Sequence, residues 1–211
     1  MRILVACEFS GVVREAFRAK GHDAYSCDLL PSLDNSPYHI QEDVRNHLTN
    51  WDMMIAHPPC TYLCNSGVRW LSHPGLFPDP LGDRKVNQER WDKMEEAADF
   101  FHYLWYAPIE KICIENPVPR GWSGLPPYTQ TIQPYQFGED ASKRTCLWLK
   151  GLPKLEATQL YPPRVVNGKN RWSNQTDSGQ NKMTPSEDRA KLRSITYGGI
   201  AEAMADQWEN V

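Results

Sequence analysis

The sequence predicts an α/β protein built on a largely parallel sheet. Short apolar segments alternate along the chain with segments in which apolar residues recur every three or four positions, and this alternation is typical of strand–helix–strand units. The first four apolar segments are each followed at once by charged or turn-forming residues. A chain of 211 residues, 40% of them hydrophobic, is long enough to bury a sizeable core as one domain.

The first part of the chain contains three predicted strands. Residues 3–6 are a short apolar run, residues 12–20 have the apolar spacing of a helix that ends at a glycine, and residues 23–27 form the second strand. A short helical stretch begins at residues 43–44, and residues 52–56 form a third, buried strand. This third strand is followed almost directly by two prolines.

The second part of the chain continues the alternation after a predicted loop. Residues 72–89 are rich in proline, glycine and charge, which favours a loop, and residues 90–106 follow as a long helix. Residues 111–114 and 146–149 are the fourth and fifth predicted strands, and residues 198–208 form a closing helix. This order predicts one sheet with helices on both faces, in which ligands bind beyond the carboxyl ends of the strands.

The composition excludes several classes of protein. No run of about 18 apolar residues is present that could span a membrane, and the amino terminus lacks the pattern of a signal peptide. The six cysteines are scattered through apolar segments, as expected of reduced thiols rather than of a disulfide framework. We therefore expect a cytoplasmic protein that does not associate with membranes.

The net charge of −3 is distributed unevenly along the chain. Residues 152–193 contain eight basic and four acidic residues, a net charge of +4, and the rest of the chain is acidic. A basic segment on an acidic body favours contact with a polyanion, although a solvated, loop-rich face has a similar composition. We divide the chain into a core (1–151), a small basic segment (152–193) and a terminal helix that returns to the core (194–211).

A nucleoside-containing cofactor is suggested by the first two strand ends. Gly11 lies in the first strand-to-helix turn, where a glycine lets the backbone approach a ligand closely, although many such glycines only form a turn. Asp28 follows the second strand, close to the spacing at which an acid binds ribose hydroxyls. Because no complete glycine-rich phosphate motif is present, S-adenosylmethionine (SAM) fits better than NAD or ATP.

The third strand ends in a candidate nucleophile. Pro58 and Pro59 form a rigid corner that holds the thiol of Cys60 in place, and a cysteine in a polar cleft can act as a nucleophile once its thiolate forms. A buried structural cysteine is an alternative. A metal site formed by His57, Cys60 and Cys64 is another, but the second pair of ligands that a zinc site usually requires is missing.

The fourth strand is followed by a carboxylate in the sequence Glu115-Asn116-Pro117. A carboxylate directly after an apolar strand can accept a hydrogen bond from the exocyclic amine of a base. If its pKa were raised, Glu115 could also protonate a ring nitrogen. A salt bridge or a helix cap is the structural alternative.

Taken together, these motifs resemble those of the C5 cytosine-specific DNA methyltransferases. The resemblance extends over nearly the whole chain, in the order expected for that family. The matching motifs are Phe9-Ser10-Gly11, Asp28, Asp43-Val44, Pro59-Cys60, Glu115-Asn116, Lys143-Arg144-Thr145 and Tyr197-Gly198-Gly199.

The resemblance implies a Rossmann-like SAM-dependent methyltransferase fold and a covalent mechanism. Cys60 would add to C6 of cytosine, Glu115 would hold N3 and the amino group, and Arg144 or Lys143 would contact the carbonyl side of the ring or the phosphate. The residues expected to bind SAM are Phe9, Ser10, Gly11, Asp28, Asp43, Pro59 and Gly198. The residues expected to bind nucleic acid, the base being flipped out of the duplex, are Arg84, Lys85, Arg164, Lys169, Arg171 and Trp172.

The sequence also departs from that family. Only about 42 residues separate Gly151 from Ser194, where typical members carry a much larger target-recognition domain. A free pyrimidine nucleotide is therefore an alternative substrate for the same chemistry. An amino-methyltransferase and a non-catalytic nucleic-acid-binding protein are further alternatives, the former disfavoured by His57 and Cys60 and the latter by Cys60 and Glu115. A bacterial or phage origin, as in restriction–modification, is expected from the resemblance.

Overall fold

The computed structural model describes residues 1–64, 87–119, 121, 123–184, 186 and 188–211. Within this part of the chain, nine strands are observed: β1 (Arg2–Ala6), β2 (Asp23–Cys27), β3 (His39–Ile40), β4 (Met53–Ala56), β5 (Lys111–Pro117), β6 (Gln130–Ile132), β7 (Thr145–Lys150), β8 (Arg164–Val166) and β9 (Lys169–Arg171). The described α-helices are α1 (Val12–Ala19), α2 (Gln88–Trp105), α3 (Arg189–Ser194) and α4 (Gly198–Trp208). Two 3₁₀ turns accompany them, Val44–Asn46 and Pro134–Gln136.

Seven of these strands form one sheet in the order β3-β2-β1-β4-β5-β7-β6. The first five strands in this order are mutually parallel, whereas β7 is antiparallel to both β5 and β6. The predicted α/β architecture is confirmed: the sheet is Rossmann-like and mostly parallel, with helices on both faces. None of the described helices is both long and apolar enough to cross a membrane.

The sheet separates two apolar clusters. Ile3 and Val5 of β1 face α1 and α4, whereas Leu4 and Ala6 face α2, because successive side chains of a strand point to opposite faces. All four are fully buried, as is Trp208 near the end of α4. Burial of each large apolar side chain stabilises the fold by roughly 1.5–3 kcal/mol, so the closing helix is an integral part of the core.

The predicted helices and strands of the core are observed, and two of them extend beyond their predicted bounds by two or more residues. β5 continues through Glu115 to Pro117, beyond the predicted end, because residues 115–117 pair with the antiparallel β7. α2 begins at Gln88, two residues before its predicted start, because the side chain of Asn87 accepts a hydrogen bond from the Arg90 amide (3.2 Å). Residues 72–86 of the predicted loop lie outside the described residues, and 88–89 belong to the helix.

Part of the basic segment, residues 152–193, forms a separate two-stranded hairpin of β8 and β9, which the sequence analysis did not predict. Its turn is Asn167-Gly168, with φ of 51° and 71°, as required by the tight turns that match the twist of paired strands. Beyond the hairpin, the Trp172 ring stacks on Tyr135 at 4.3 Å, and the Ser173 amide donates to Asp140 (2.9 Å). These contacts attach the segment to the core.

Candidate active site

The carboxyl ends of β1, β2, β4 and β5 lie side by side at one edge of the sheet. Ala6 pairs in register with Cys27 and with Ala56, and Ala56 pairs in register with Ile114. The residues that follow these positions are therefore neighbours, as the sequence analysis predicted. They include Glu8, Asp28, His57, Cys60 and Glu115.

A cavity of about 280 Å³ opens at this edge beside β1 and β2. Its volume is close to the lower end of the range for small-molecule sites. Three residues predicted to bind SAM, Asp28, Asp43 and Pro59, line this cavity. The other lining residues are Cys7, Cys27, Leu29, Glu42, Val44, Arg45 and Phe100.

Asp28 and Asp43, two of the three acids that line the cavity, are held differently. One carboxylate oxygen of Asp28 accepts a hydrogen bond from the Leu30 amide (2.9 Å), which orients the side chain. Asp43 accepts hydrogen bonds from the backbone and from the guanidinium of Arg45 (both 3.0 Å), and these bonds lower the pKa of Asp43. Asp43 and Arg45 thus line the cavity as an ion pair, and Asp28 is the acid with fewer protein partners.

The first turn, Phe9-Ser10-Gly11, does not line this cavity. Phe9 is buried, and the ammonium of Lys191 lies over its ring at 5.1 Å from the centroid. Gly11 has a φ of +77°, and a Cβ at this position would lie 2.2 Å from the guanidinium of Arg14. Glycine is therefore needed here for the turn and for the packing of a buried arginine, rather than for an observed contact with the cavity.

Glu8 is a buried residue that sequence reasoning did not single out. Its carboxylate accepts hydrogen bonds from the amides of Val13 (2.7 Å) and Arg14 (3.2 Å) in the first turn of α1. Burial raises the pKa of Glu8, although nearby His57 and the two amides oppose the shift. Because the protein itself occupies these amides, the amino terminus of α1 is not free to bind a phosphate. The sequence does contain one signal that could have identified Glu8, an acidic residue placed between a predicted strand and a predicted helix.

The candidate catalytic carboxylate is Glu115. The side chain is 11% exposed, and its Oε2 lies 3.1 Å from Nδ1 of His57. Burial would raise the pKa of Glu115, but the charge of Lys143 and the hydrogen bonds from His57 and Thr145 outweigh burial and lower it to about 2. Glu115 is thus ionised at neutral pH. The lowered pKa does not favour the alternative in which Glu115 protonates a ring nitrogen.

Cys60 lies in a single helical turn beside Cys64. The Cys60 carbonyl accepts hydrogen bonds from the amides of Leu63 and Cys64 (both 3.1 Å). The thiol–thiol hydrogen bond with Cys64, burial and the charge of Glu115 raise the pKa of Cys60, whereas Lys143 lowers it. These contacts favour the neutral thiol form of Cys60 in the free protein.

The two basic residues before β7, Lys143 and Arg144, act on different groups. The charge of Lys143 acts on both Cys60 and Glu115, and its ammonium donates a hydrogen bond to the Arg193 carbonyl (3.0 Å). Arg144 is exposed, and its charge acts on the pKa of Cys146. Lys143 is therefore the basic residue that the structure brings to the thiol and the carboxylate.

No group of three or more histidine, cysteine, aspartate or glutamate side chains is positioned to hold a metal ion within the described residues. His57, the first of the three residues considered as metal ligands, contacts Glu115 instead. Cys60 and Cys64 contact each other.

The closing glycine motif lies at the start of α4. The Gly199 amide donates to Oε1 of Glu139 (3.0 Å), and a Cβ on Gly199 would lie 1.9 Å from the Phe137 carbonyl oxygen. A Cβ on the preceding Gly198 would meet Glu139 at 3.7 Å. Gly198, predicted to bind SAM, faces Glu139 and does not line the cavity.

The predicted nucleic-acid-binding residues fall into three groups. Arg84 and Lys85 lie outside the described residues. Arg164 donates to the Asp177 carboxylate (2.6 Å) and Arg171 to the Asp177 carbonyl (3.0 Å). Arg164 and Lys169 are both exposed.

Trp172 requires a correction. It is only 9% exposed and is stacked on Tyr135, so it packs against the core instead of offering a surface for stacking a base. The stacking partner is 37 positions away in the sequence, at the 3₁₀ turn before β7, and the basic residues around Trp172 gave no sign of it.

No protein-family model and no curated protein sequence matches the chain. Among solved structures, one similar chain is described as a DNA modification methyltransferase encoded within an Escherichia coli prophage (TM-score 0.45, 13% identity). Another is a mutant of DNMT2 from Spodoptera frugiperda (TM-score 0.34, 15% identity). The matches cover 77% and 81% of this chain but only 52% and 57% of those chains, so the protein spans just over half their length.

Proposed function

We propose that the protein is a SAM-dependent methyltransferase that acts on C5 of cytosine in DNA. The observation that carries this proposal is the meeting of a cysteine thiol and an ionised carboxylate, Cys60 and Glu115, at adjacent strand ends. Nucleophilic addition to an electron-poor ring requires such a pair, since one group attacks while the other holds the base. The cavity with Asp28 lies at the same edge of the sheet.

The residues of this cavity fit a nucleoside cofactor. Asp28 keeps a carboxylate oxygen for ribose hydroxyls, and Leu29 and Phe100 supply apolar surface for a base. The capping of α1 by Glu8 argues against a cofactor held by its phosphates. SAM, when bound, supplies an electrophilic methyl group.

Cys60 would supply the nucleophile. Its thiol loses a proton, the sulfur bonds to C6, and the electron pair of the C5–C6 double bond makes C5 nucleophilic. After methyl transfer to C5, the C5 proton leaves, the sulfur–C6 bond breaks and the double bond is restored. The thiolate released from C6 takes up a proton, and the cycle closes without any redox change.

Glu115 and Lys143 would bind and polarise the base. As an ionised acceptor, Glu115 takes a hydrogen bond from the exocyclic amine of cytosine and stabilises positive charge that develops at N3. Lys143 supplies a positive charge that favours the thiolate form of Cys60. Lys143 therefore replaces Arg144 as the preferred basic residue of the site.

The hairpin of β8 and β9 is the proposed contact with DNA. It contains three basic residues, Arg164, Lys169 and Arg171, and no acidic residue. The exposed Val165 adds apolar surface. A two-stranded ribbon has the dimensions of the major groove, and flipping one base out of a duplex costs a few kcal/mol that such contacts offset.

A free pyrimidine nucleotide is a second candidate substrate, and one observation favours it. The two arginines of the hairpin are held by Asp177, and Trp172 is buried, so fewer groups face a long polyanion than the sequence predicted. The proposed chemistry at Cys60 is the same for both substrates.

Trapping with 5-fluorocytosine tests the proposal, because fluorine at C5 prevents the last elimination. A denaturation-resistant adduct with a 5-fluorocytosine oligonucleotide in the presence of SAM is expected for the wild type and for Cys64→Ser, and no adduct for Cys60→Ser. Adduct formation only with the free nucleotide would support the second substrate. Retained methyl transfer from labelled SAM in a folded Cys60→Ser variant would refute the covalent mechanism.

A further inference from the structure

His57 contacts the buried carboxylate of Glu115 at the carboxyl edge of the sheet. Its Nδ1 is 3.1 Å from Oε2 of Glu115, and the two side chains are only 6% and 11% exposed. The charge of His57 also lowers the pKa of the buried Glu8, which caps α1. His57 thereby connects the ends of three neighbouring strands, β1, β4 and β5.

The two ring nitrogens of His57 have different surroundings. Nε2 is buried and has no hydrogen-bond partner in the described part of the chain. An unpaired buried nitrogen costs about 1–3 kcal/mol, so the contact on the opposite side of the ring has to compensate for it. The hydrogen bond to Glu115 is the contact that does so.

We infer that His57 is a positioning residue, which holds the Glu115 carboxylate in the orientation that receives the base. This inference rests on the function proposed above. Because an ionised carboxylate only accepts hydrogen bonds, Nδ1 has to carry the proton of the ring. The geometry is that of an imidazole whose Nδ1–H group directs a carboxylate.

The rigid attachment of His57 explains why it suits this role. Its amide donates to the Ala6 carbonyl (2.9 Å), so the residue continues the pairing of β4 with β1. Two prolines follow it and restrict the backbone further. The ring therefore has little freedom to leave Glu115, and Cys60, three residues later, is held by the same corner.

Two substitutions separate positioning from proton transfer. His57→Asn places an amide donor close to the position of Nδ1 and keeps the hydrogen bond to Glu115, whereas His57→Leu removes it. His57→Gln places its amide near Nε2 and serves as a further variant without the donor if His57→Leu does not fold. His22→Leu is the matched control, since His22 is another histidine with an unpaired buried Nε2, at the opposite edge of the sheet.

The expected result is a selective loss of turnover. His57→Leu should lower kcat on DNA on the order of 100-fold, the effect of misplacing a reacting group by about 1 Å, with little change in SAM binding. His57→Asn should restore most of the loss, and His22→Leu should leave kcat unchanged. Equal losses in His57→Asn and His57→Leu would overturn the inference in favour of proton transfer by the ring.

A carboxyl titration by carbon NMR provides a readout that does not depend on activity. The groups facing Glu115 are His57, Lys143, Thr145 and Cys60. Loss of the His57 donor should raise the pKa of Glu115 in His57→Leu but much less in His57→Asn. An unchanged pKa in His57→Leu would refute the positioning role. If the wild type transfers no methyl group, the proposed function fails, while this titration still decides the inference about His57.

Discussion

The ionised state of Glu115 should be measurable as a pH-dependent contribution to stability. A pKa of about 2, against the usual 4.5, corresponds to roughly 3 kcal/mol in favour of the ionised form in the folded protein. Because the folded pKa is depressed, this stabilisation is present above the unfolded pKa and is lost as the pH falls through the folded pKa. We therefore expect it to disappear between about pH 5 and pH 2.

The comparison of wild type and Glu115→Gln isolates this contribution, because the other carboxyl groups titrate in both proteins. Urea unfolding at intervals between pH 7 and pH 3 should give a difference in unfolding free energy that shrinks as the pH falls. Glu8→Gln is the matched control, for which the difference in unfolding free energy should change with pH in the opposite direction. Burial raises the pKa of Glu8, so the stabilising contribution of this group is lost as the pH rises. A constant difference for Glu115→Gln across this range would refute the assignment of an ionised Glu115.

Two further predictions concern binding. Asp28→Ala should weaken SAM binding by about 10- to 100-fold in calorimetry, since a charged acceptor contributes roughly 1.5–3 kcal/mol, and unchanged affinity would show that the ribose binds elsewhere. Neutralising Arg164, Lys169 and Arg171 together should weaken DNA binding. It should also make the plot of log affinity against log salt concentration less steep, by up to about 3, because each phosphate contact releases a counterion. An unchanged slope would exclude the hairpin as the DNA contact.

The sequence predicted the core of this fold well, because each of its predicted strands contains a short local run of apolar residues. The two-residue β3 and the three-residue β6 are too short to show any period, and they exist through pairing with β2 and β7. The extension of β5 into residues 115–117 depends likewise on a distant partner strand.

The candidate site was likewise predicted only where its residues leave a local pattern in the sequence. Strand ends identified Asp28, Cys60 and Glu115, since polar residues after apolar runs are visible in the sequence. The contact of His57 with Glu115 joins residues 58 positions apart, and the stacking that buries Trp172 joins residues 37 apart. Neither contact leaves a local pattern.

The negative charge of Glu115 near Cys60 implies that the bound substrate itself activates the nucleophile. The negative charge of Glu115 contributes to the raised pKa of Cys60, together with Cys64 and burial. A bound cytosine that donates its amine to Glu115 offsets part of this charge, so the same contact that holds the base should promote the thiolate. We expect slow alkylation of Cys60 by iodoacetamide at neutral pH in the free protein, and faster alkylation in Glu115→Gln. Equal rates in the two proteins, measured by mass spectrometry with Cys64→Ser as background, would show that Glu115 does not control the thiol.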